Sequence, residues 1–481
     1  MTVRVRIAPS PTGLMHIGNA RAALFNWLFA KNRSGVFVVR IDDTDPVRSE
    51  SQYEDDILEG FRWLGLDWQE GVGVGGPFGS YRQSDRFDRY RQAAEELVDR
   101  GHAYPCFCTP EELEARRQEA EAASRPPGYD GRCRLIPPDS AAARRAAGEL
   151  ASIRFAMPRP GSTTFIDLVR GEVTFDHEHV DDYVLLRSDG SPTYHLASTV
   201  DDVDYGITHV VRGEDLLPST PRHIQLTIAL GGDVATYAHL PLLMGPDGKR
   251  LSKRHGATSL RFYREGGYLH EALVNYLSLL GWSPGDDRTI FSVEEAIPAF
   301  DLADVSKHAA VFDPDKLEWM NGEYIRALDS KEFCERVRPF LEEGLGRGLT
   351  EAEWADFIAI APLVQERVKL LTEAAGQVGF LYADEIQYDP VSWEKVMRDR
   401  AGEVLAAATE SLEKVDLWEH DTIEAALRSM LEELALGAKQ GLQPVRVAVT
   451  GSSISPPLFE SISVLGKQRT MARLEAAKRR L

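Results

Sequence analysis

The stretch Arg6-Ile-Ala-Pro-Ser-Pro-Thr-Gly-Leu-Met-His16-Ile-Gly18-Asn19-Ala-Arg21 constrains the fold more than any other. The run leading into it, Val3-Arg-Val-Arg-Ile7, alternates apolar and charged residues, the pattern of a strand. Pro9, Pro11 and Gly13 then forbid regular structure and force a loop. Gly18-Asn19 opens a helix in which Ala23, Leu24, Trp27 and Leu28 recur at helical spacing. A strand, a tight loop and a helix start make a ready anion site, because unpaired backbone N–H groups point out of a helix N-terminus. His16 can donate to a phosphate oxygen there, and Gly18 lets a nucleotide come close. Taken alone, the stretch fits an ordinary strand-to-helix connection with a stray histidine equally well.

A second strand, Val36-Phe-Val-Val-Arg-Ile41, follows and completes a β-α-β unit of the doubly wound kind. It runs into Asp42-Asp43-Thr44-Asp45. Ligands of such sheets bind beyond the carboxyl ends of strands, so these carboxylates and the His16 loop are expected in one crevice. Asp45 with Arg48 also suits the cap of a helix over Ser49–Trp63. Gly71-Val-Gly73-Val-Gly-Gly76 satisfies G-x-G-x-x-G, but Leu64–Trp68 before it does not read as a buried strand. Pro77 and Gly79 prolong the loop, so a flexible surface loop is expected, not a cofactor site.

A chain of 481 residues exceeds a single core, so roughly two to four domains are expected. No apolar stretch reaches transmembrane length, the N-terminus is no signal peptide, and four cysteines in so long a chain indicate a reducing compartment, the cytoplasm. Fifty-five basic against seventy-five acidic residues gives −20, the wrong sign for a simple nucleic-acid coat. A polyanion would have to meet local basic tracts, and two exist. One is Lys249–His255 with Arg261 and Arg264; the other is Lys467-Gln-Arg469, Arg473 and Lys478-Arg479-Arg480.

Residues 109–150 are rich in Ala, Glu and Arg and predict two helical segments either side of Pro126-Pro127-Gly128. Strand patterns follow at Ser152–Met157 and Gly171–Phe175, as in an insertion between the halves of a nucleotide fold. The sheet is expected to resume with Tyr183–Arg187, Thr193–Thr199 and His209–Arg212. Beyond Gly256 the chain reads as mostly helical, with Leu269–Gly281 strongly apolar. A helical third is set off at Trp319–Tyr324, and the next strand signal is Val445-Arg-Val-Ala-Val-Thr450.

Gly248-Lys249-Arg250-Leu251-Ser252-Lys253-Arg254-His255-Gly256 is a glycine-flanked basic loop suited to charge developing on a cleaved triphosphate. With His16-Ile17-Gly18-Asn19 far upstream, Arg250-Leu-Ser-Lys-Arg254 resembles the paired HIGH and KMSKS signatures of class I aminoacyl-tRNA synthetases. Ala8-Pro-Ser-Pro-Thr-Gly13, Arg40-Ile-Asp-Asp-Thr-Asp45, Pro192-Thr-Tyr-His195, Val211-Arg-Gly-Glu-Asp215 and Phe312…Lys316-Leu-Glu-Trp-Met-Asn-Gly322 narrow the resemblance to bacterial glutamyl-tRNA synthetases, over the whole chain.

That resemblance implies an α/β Rossmann-type catalytic half with an α/β insertion, followed by an all-α anticodon-binding region. The implied divisions are a split catalytic domain at 1–104 and 193–243, and an inserted acceptor-end domain at 105–192. A stem-contact region with the basic loop would cover 244–326, and a helical anticodon region, as two subdomains, 327–481. It implies ATP-dependent attachment of L-glutamate to tRNA(Glu) through a glutamyl-adenylate, by a monomer. Both nucleophiles come from substrates, so the protein's work is positioning and charge stabilisation. This agrees with the lack of any defensible Ser/His/Asp or Cys/His constellation.

By the same resemblance ATP lies over Thr12, His16, Gly18, Asn19 and Arg250, with Ser252 and Lys253 closing on the phosphates; His16, Ser252 and Lys253 are the catalytic candidates. Arg6, Ala8, Ser10, Asp42, Tyr194 and Arg212 are the glutamate set, arginines being the residues that grip carboxylates bidentately. Two positions depart from the family pattern: Asp42 stands where Glu is usual, and Ser198 where Asn is. Asp45, Arg48 and Arg367 are the candidates for tRNA contact. Mg²⁺ is expected with ATP from the chemistry. Cys106-Phe-Cys108 with Cys133, and Tyr129 in a Tyr-x-x-x-Cys spacing, resembles the zinc set of some relatives; three buried thiols in an insertion is the alternative. Other readings are a non-discriminating enzyme that also charges tRNA(Gln), a glutaminyl-tRNA synthetase, a short tRNA-modifying paralogue, a nucleotidyltransferase and a non-catalytic tRNA-binding relative. The helical third opposes the second, third and fourth, and the presence of both loops opposes the last.

Overall fold

A computed structural model describes residues 2–45, 49–123, 128–252 and 258–481. The chain forms two units, Met1–Tyr263 with Leu273–Asp313, and Arg264–Ala272 with Pro314–Leu481. The first opens with β1 (Arg4–Ile7), α1 (Ile17–Asn32), β2 (Val36–Val39), α2 (Ser51–Trp63) and β3 (Glu70–Gly71). Next come α3 (Phe87–Asp99), β4 (Ala103–Cys106), α4 (Pro110–Ala122), α5 (Pro138–Ala146), β5 (Ser152–Phe155), β6 (Ser162–Asp167), β7 (Gly171–Asp176) and β8 (Val184–Leu186). Then follow α6 (Tyr194–Asp204), β9 (His209–Gly213), α7 (Thr220–Leu230) and β10 (Thr236–Leu240).

The main sheet has the order β3-β2-β1-β9-β10-β6-β7 and is parallel except for β7. Strand order reverses between β1 and β9, and crossovers leave on opposite sides of that line. Loops at the carboxyl ends therefore part there and open a crevice. The expected first helix forms, but it is buried on nearly all sides rather than along one stripe: Ile17, Ala20, Leu24, Phe25 and Leu28 are all inaccessible. It is sandwiched between the sheet and the helix Val293–Ala299, with Phe25 edge-on to Phe300 at 5.2 Å.

Several local expectations are corrected. Thr193–Thr199 is not a strand: its aromatic and β-branched residues begin α6, whose Leu196, Ala197 and Val200 are buried while Asp201 and Asp202 bind arginines. Tertiary packing overrides β propensity there. Tyr183–Arg187 does yield a strand, β8, but in a separate antiparallel sheet ordered β4-β5-β8. The β6–β7 hairpin, from the stretch read as an insertion, extends the main sheet through β10. The glycine-rich run is no loose loop. Gly71 belongs to β3 with φ of +133°, and a Cβ there would lie 2.2 Å from the Val39 carbonyl oxygen. Helix α2 starts at Ser51 with Glu50 as its cap residue and no side-chain cap bond, so Asp45 does not cap it.

The second unit is helical throughout its described residues, around a core that includes Phe333, Phe357, Leu405, Val445 and Leu474. Val445–Thr450 is not a strand but the end of the helix Ala438–Thr450, where its valines fill that core. Trp319–Tyr324 lies inside the helix Pro314–Ala327, not at a break. Among the described residues no helix is long and apolar enough to cross a membrane. The C-terminal basic tract is largely spent on the fold. Arg473 is buried and donates to the carbonyls of Val449 (2.8 Å), Phe380 (2.7 Å) and Ala383 (3.0 Å). Lys467 donates to the carbonyls of Glu413 and Val415, and Arg469 to that of Leu381.

Removing Arg473 strands three carbonyls, and each buried unsatisfied group costs about 1–3 kcal/mol. Arg473→Leu is expected to lower the stability of the helical unit by roughly 3 kcal/mol or more in urea unfolding, while Arg479→Leu, on the surface, changes it by less than about 0.5 kcal/mol.

Candidate active site

A cavity of about 580 Å³ opens at the carboxyl ends of β1, β2, β9 and β10, beside the point where strand order reverses. Arg6, Ala8, Ser10, Asp42, Tyr194 and Arg212 all line it, as do His16, Gly18, Asn19, Arg250 and Ser198. Thr12 is exposed and outside the lining; its N–H bonds to the Ser10 carbonyl at 2.9 Å. Ser252 is half-buried and also outside it. Lys253 and Arg48 lie outside the described residues.

His16 is the N-cap of α1, and its Nδ1 accepts the Gly18 N–H at 3.1 Å. An accepting Nδ1 leaves the proton of the neutral ring on Nε2. A Cβ on Gly18 would sit 3.4 Å from that Nδ1, so glycine spares the ring crowding. The two motif stretches, far apart in sequence, meet here. The Ile17 N–H donates to the Thr258 carbonyl and the Leu260 N–H to the Met15 carbonyl, both at 2.9 Å. On its other side the basic loop is fixed by Leu251 N–H to the Leu243 carbonyl at 2.8 Å. Arg250 pairs with Asp215 at 3.1 Å. Both ends of the basic loop are thus tied to the cavity's framework.

The floor is a buried charge cluster. Arg40, at the end of β2, has no exposed surface. Its Nε and Nη2 donate to the two Asp42 oxygens at 2.6 and 3.1 Å, its Nη1 to Asp202 at 2.8 Å, and its Nη2 also to Ser198 Oγ at 3.1 Å. Asp202 in turn accepts from Arg6 Nε at 3.1 and 3.2 Å. Asp201, 3.5 Å from Arg40, accepts from Arg86, Gln83 and Tyr90. Asp201 and Asp202 lie just beyond the stretch Thr193–Thr199 that reads as a strand, on the same helix α6 that this stretch begins. The two departures from the family pattern fall side by side: Asp42 and Ser198 both bind Arg40.

Arg212 is held differently. Its guanidinium donates to His239 Nε2 (3.1 Å), Thr220 Oγ1 (2.9 Å), the Leu216 carbonyl (3.2 Å), Tyr194 Oη (3.3 Å) and His223 Nδ1 (3.3 Å). All are neutral acceptors. Burial and the Arg212 charge hold His223 well below the usual imidazole range, so it stays neutral. Arg6 faces the cavity with its charge partly balanced by Asp202, whereas Arg212 touches no carboxylate among the described residues. A bound anion would find its charge there unspent.

Asp45 is exposed, and Asp43 accepts from the Ser84 N–H and hydroxyl instead of facing the cavity. Arg367 is exposed, just past the end of the helix Glu351–Gln365 rather than within it. Its charge lowers the pKa of Arg446, which burial depresses first. The strand-like look of Val445–Thr450 concealed this second cation. In the insertion, the sulfurs of Cys106, Cys108 and Cys133 lie within 4.8 Å of one another. Tyr129 Oη is 3.4 Å from Cys106 Sγ, and Cys108 Sγ is 3.6 Å from Cys133 Sγ.

Burial lifts the Asp42 carboxyl from 3.8 to about 6, against the pull of Arg40. A raised folded-state pKa favours the folded protein below about pH 4, and that advantage is lost as pH rises through about 6. Asp42→Asn, which mimics the protonated side chain and leaves Arg40 paired with Asp202, is expected to gain stability relative to the parent chain across pH 4–7. Denaturation midpoints on that pH series check it; a difference independent of pH contradicts it.

The comparisons with known proteins agree with this geometry. The family model described as tRNA synthetases class I (E and Q), catalytic domain, matches residues 2–319, and an anticodon binding domain matches 332–478. A glutamate–tRNA ligase of Streptomyces avermitilis is 46% identical over 99% of this chain and 96% of its own. One of Dehalococcoides mccartyi is 48% identical over 100% and 98%. The crystal structure of a glutamate tRNA ligase from Elizabethkingia meningosepticum, in complex with its amino acid, superposes with a TM-score of 0.88 at 33% identity, covering 100% of this chain and 99% of that one. The chain therefore belongs to the class I tRNA synthetases of the glutamate and glutamine group, in the glutamate–tRNA ligase family.

Proposed function

We propose that this enzyme attaches L-glutamate to the 3′ end of tRNA(Glu) through a glutamyl-adenylate formed in the cavity between Arg6 and Arg212. The observation that carries the reading is the convergence of all six glutamate candidates on one cavity, at the switch point of the sheet, beside the ends of both nucleotide loops. Glutamate brings two carboxylates and one ammonium. Arg6 and Arg212 supply two guanidiniums, Tyr194 and Ser10 offer hydroxyls, and Asp42 presents the opposite sign.

One glutamate carboxylate attacks the α-phosphate of ATP and pyrophosphate leaves; the terminal ribose hydroxyl of tRNA then attacks the mixed anhydride and AMP leaves. ATP lies over His16, Gly18 and Asn19, with Thr12 on the same loop. His16 Nε2–H and the N-terminus of α1 face the phosphates. Arg250, Ser252 and Lys253 close on the phosphates; Mg²⁺ arriving with ATP would supply further neutralisation of the triphosphate charge. Asp45 and Arg48 contact the tRNA, residues 105–192 hold its acceptor end, residues 244–326 its stem, and Arg367 in 327–481 reads the anticodon. The enzyme works as a monomer in the cytoplasm.

Zinc suits the cysteine cluster. Tetrahedral zinc with thiolate and oxygen ligands spaces its donors about 3.5–3.8 Å apart, close to the Cys108–Cys133 and Cys106–Tyr129 separations. The Arg154 guanidinium lies 3.9 Å from the centre of the Tyr129 ring, a cation–π contact that holds the ring in place. Cys106, Cys108, Cys133 and Tyr129 would hold the ion, and its contribution there would be to the fold of the insertion.

The test is charging of purified glutamate and glutamine tRNA transcripts with labelled glutamate and ATP, omitting each component in turn. Product on tRNA(Glu) alone is expected; product on both moves the question to the anticodon side, and none on either discards the reading. In the same assay Lys253→Ala is expected to cut adenylate formation ~10²–10³-fold, the usual loss for one preorganised donor, with tRNA affinity nearly intact.

A further inference from the structure

Arg212 is aimed by a buried pair outside the six glutamate candidates. His239 on β10 and Asp167 on β6 are both buried, with His239 Nδ1 2.6 Å from Asp167 Oδ2. Asp167 is itself fixed by three backbone N–H groups: those of Val169 (3.0 Å) and Arg170 (2.8 Å) on its own hairpin, and that of His239 (3.1 Å) on the neighbouring strand. A carboxylate so held accepts from Nδ1–H and keeps the ring proton on that atom. Nε2 is then an acceptor, and it receives the Arg212 Nε–H at 3.1 Å. Thr220, which itself accepts from Arg212 Nη2 at 2.9 Å, lies 3.1 Å from the same nitrogen. The Tyr237 ring stacks parallel to the imidazole at 5.9 Å and lies under the guanidinium.

We propose that Asp167 and His239 are positioning residues for the amino-acid step: the carboxylate fixes the imidazole tautomer, and the imidazole locks the Arg212 fork toward the cavity without cancelling its charge. A carboxylate in direct contact with Arg212 would compete with the substrate's own. Relayed through a neutral ring, Asp167 orients the arginine and leaves its charge to the ligand. Asp167 lies on the hairpin that extends the main sheet, so the pocket is completed by a segment outside both halves of the nucleotide fold. This inference rests on the reading of Arg212 as a glutamate-binding residue.

Asp167→Asn is the direct test, because an amide in place of the carboxylate can donate to Nδ1 and drive the proton to Nε2, where it faces Arg212. Steady-state charging of tRNA(Glu) is expected to show the KM for glutamate raised ~10–100-fold, the scale of one charge-assisted contact, with the KM for ATP and the melting temperature within experimental error of the parent. His239→Gln, which keeps an acceptor near the Nε2 position, is expected to stay within about threefold of the parent, and His239→Leu to match Asp167→Asn. A normal glutamate KM in Asp167→Asn overturns the proposal, as does a loss spread equally over glutamate and ATP or a collapse of both histidine variants alike. If the parent chain charges no tRNA with glutamate, the underlying assignment fails instead, which separates the two outcomes.

Discussion

The burial of Arg40 sets the terms for everything around the cavity. A guanidinium without exposed surface is tolerable only when it is paired and its donors are satisfied, because isolating a charge in the interior costs several kcal/mol at least. Arg40 meets this demand with Asp42, two residues further along the chain, and with Asp202, Asp201 and Ser198 from α6. That requirement fixes α6 against β2. It also places Asp202 where it can hold Arg6 on β1, and it turns Asp42 to the cavity wall at the height where a ligand's polar groups would lie. The second arginine, on β9, is supported among the described residues by neutral acceptors, so one cavity contains a guanidinium paired with a carboxylate and one that is not. Such a contrast suits a ligand with two carboxylates and a net negative charge.

The phosphate side rests on a different constraint. The prolines of the first loop and the cap at His16 fix the start of α1, and backbone bonds from Met15 and Ile17 to Thr258 and Leu260 bring the downstream basic loop beside it. The substrates provide their own nucleophiles, so such a framework needs only to hold them in line and meet the developing charge. The net charge of −20 is compatible with a tRNA partner on these terms, since cations need to be free only where the polyanion lies. The C-terminal tract shows how a basic run misleads: Arg473, Arg469 and Lys467 satisfy carbonyls at helix ends and are structural cations.

How much of this was legible in the sequence follows from how local each signal is. The strand, loop and first helix were readable because alternation, prolines and helical spacing act within a few residues. The glutamate set was carried by resemblance, and the cavity gathers every member of it. The failures share one physical cause. Thr193–Thr199 and Val445–Thr450 carry β-branched and aromatic residues whose propensity favours strand, but each is packed as a buried helix face. Asp167 and His239 gave no sequence signal at all, since two residues 72 positions apart meet only when β6 pairs with β10. Asp42 and Ser198 looked like separate defects in a pattern, and their shared partner, Arg40, is visible only in three dimensions.

The most direct test of the account is a crystal structure of the chain with L-glutamate bound. The account predicts density in the cavity at the carboxyl ends of β1 and β9, with one carboxylate within about 3 Å of the Arg6 guanidinium and the other within about 3 Å of that of Arg212, as charge-assisted hydrogen bonds require. Glutamate bound elsewhere, or in this cavity with Arg212 left out of contact, would contradict it.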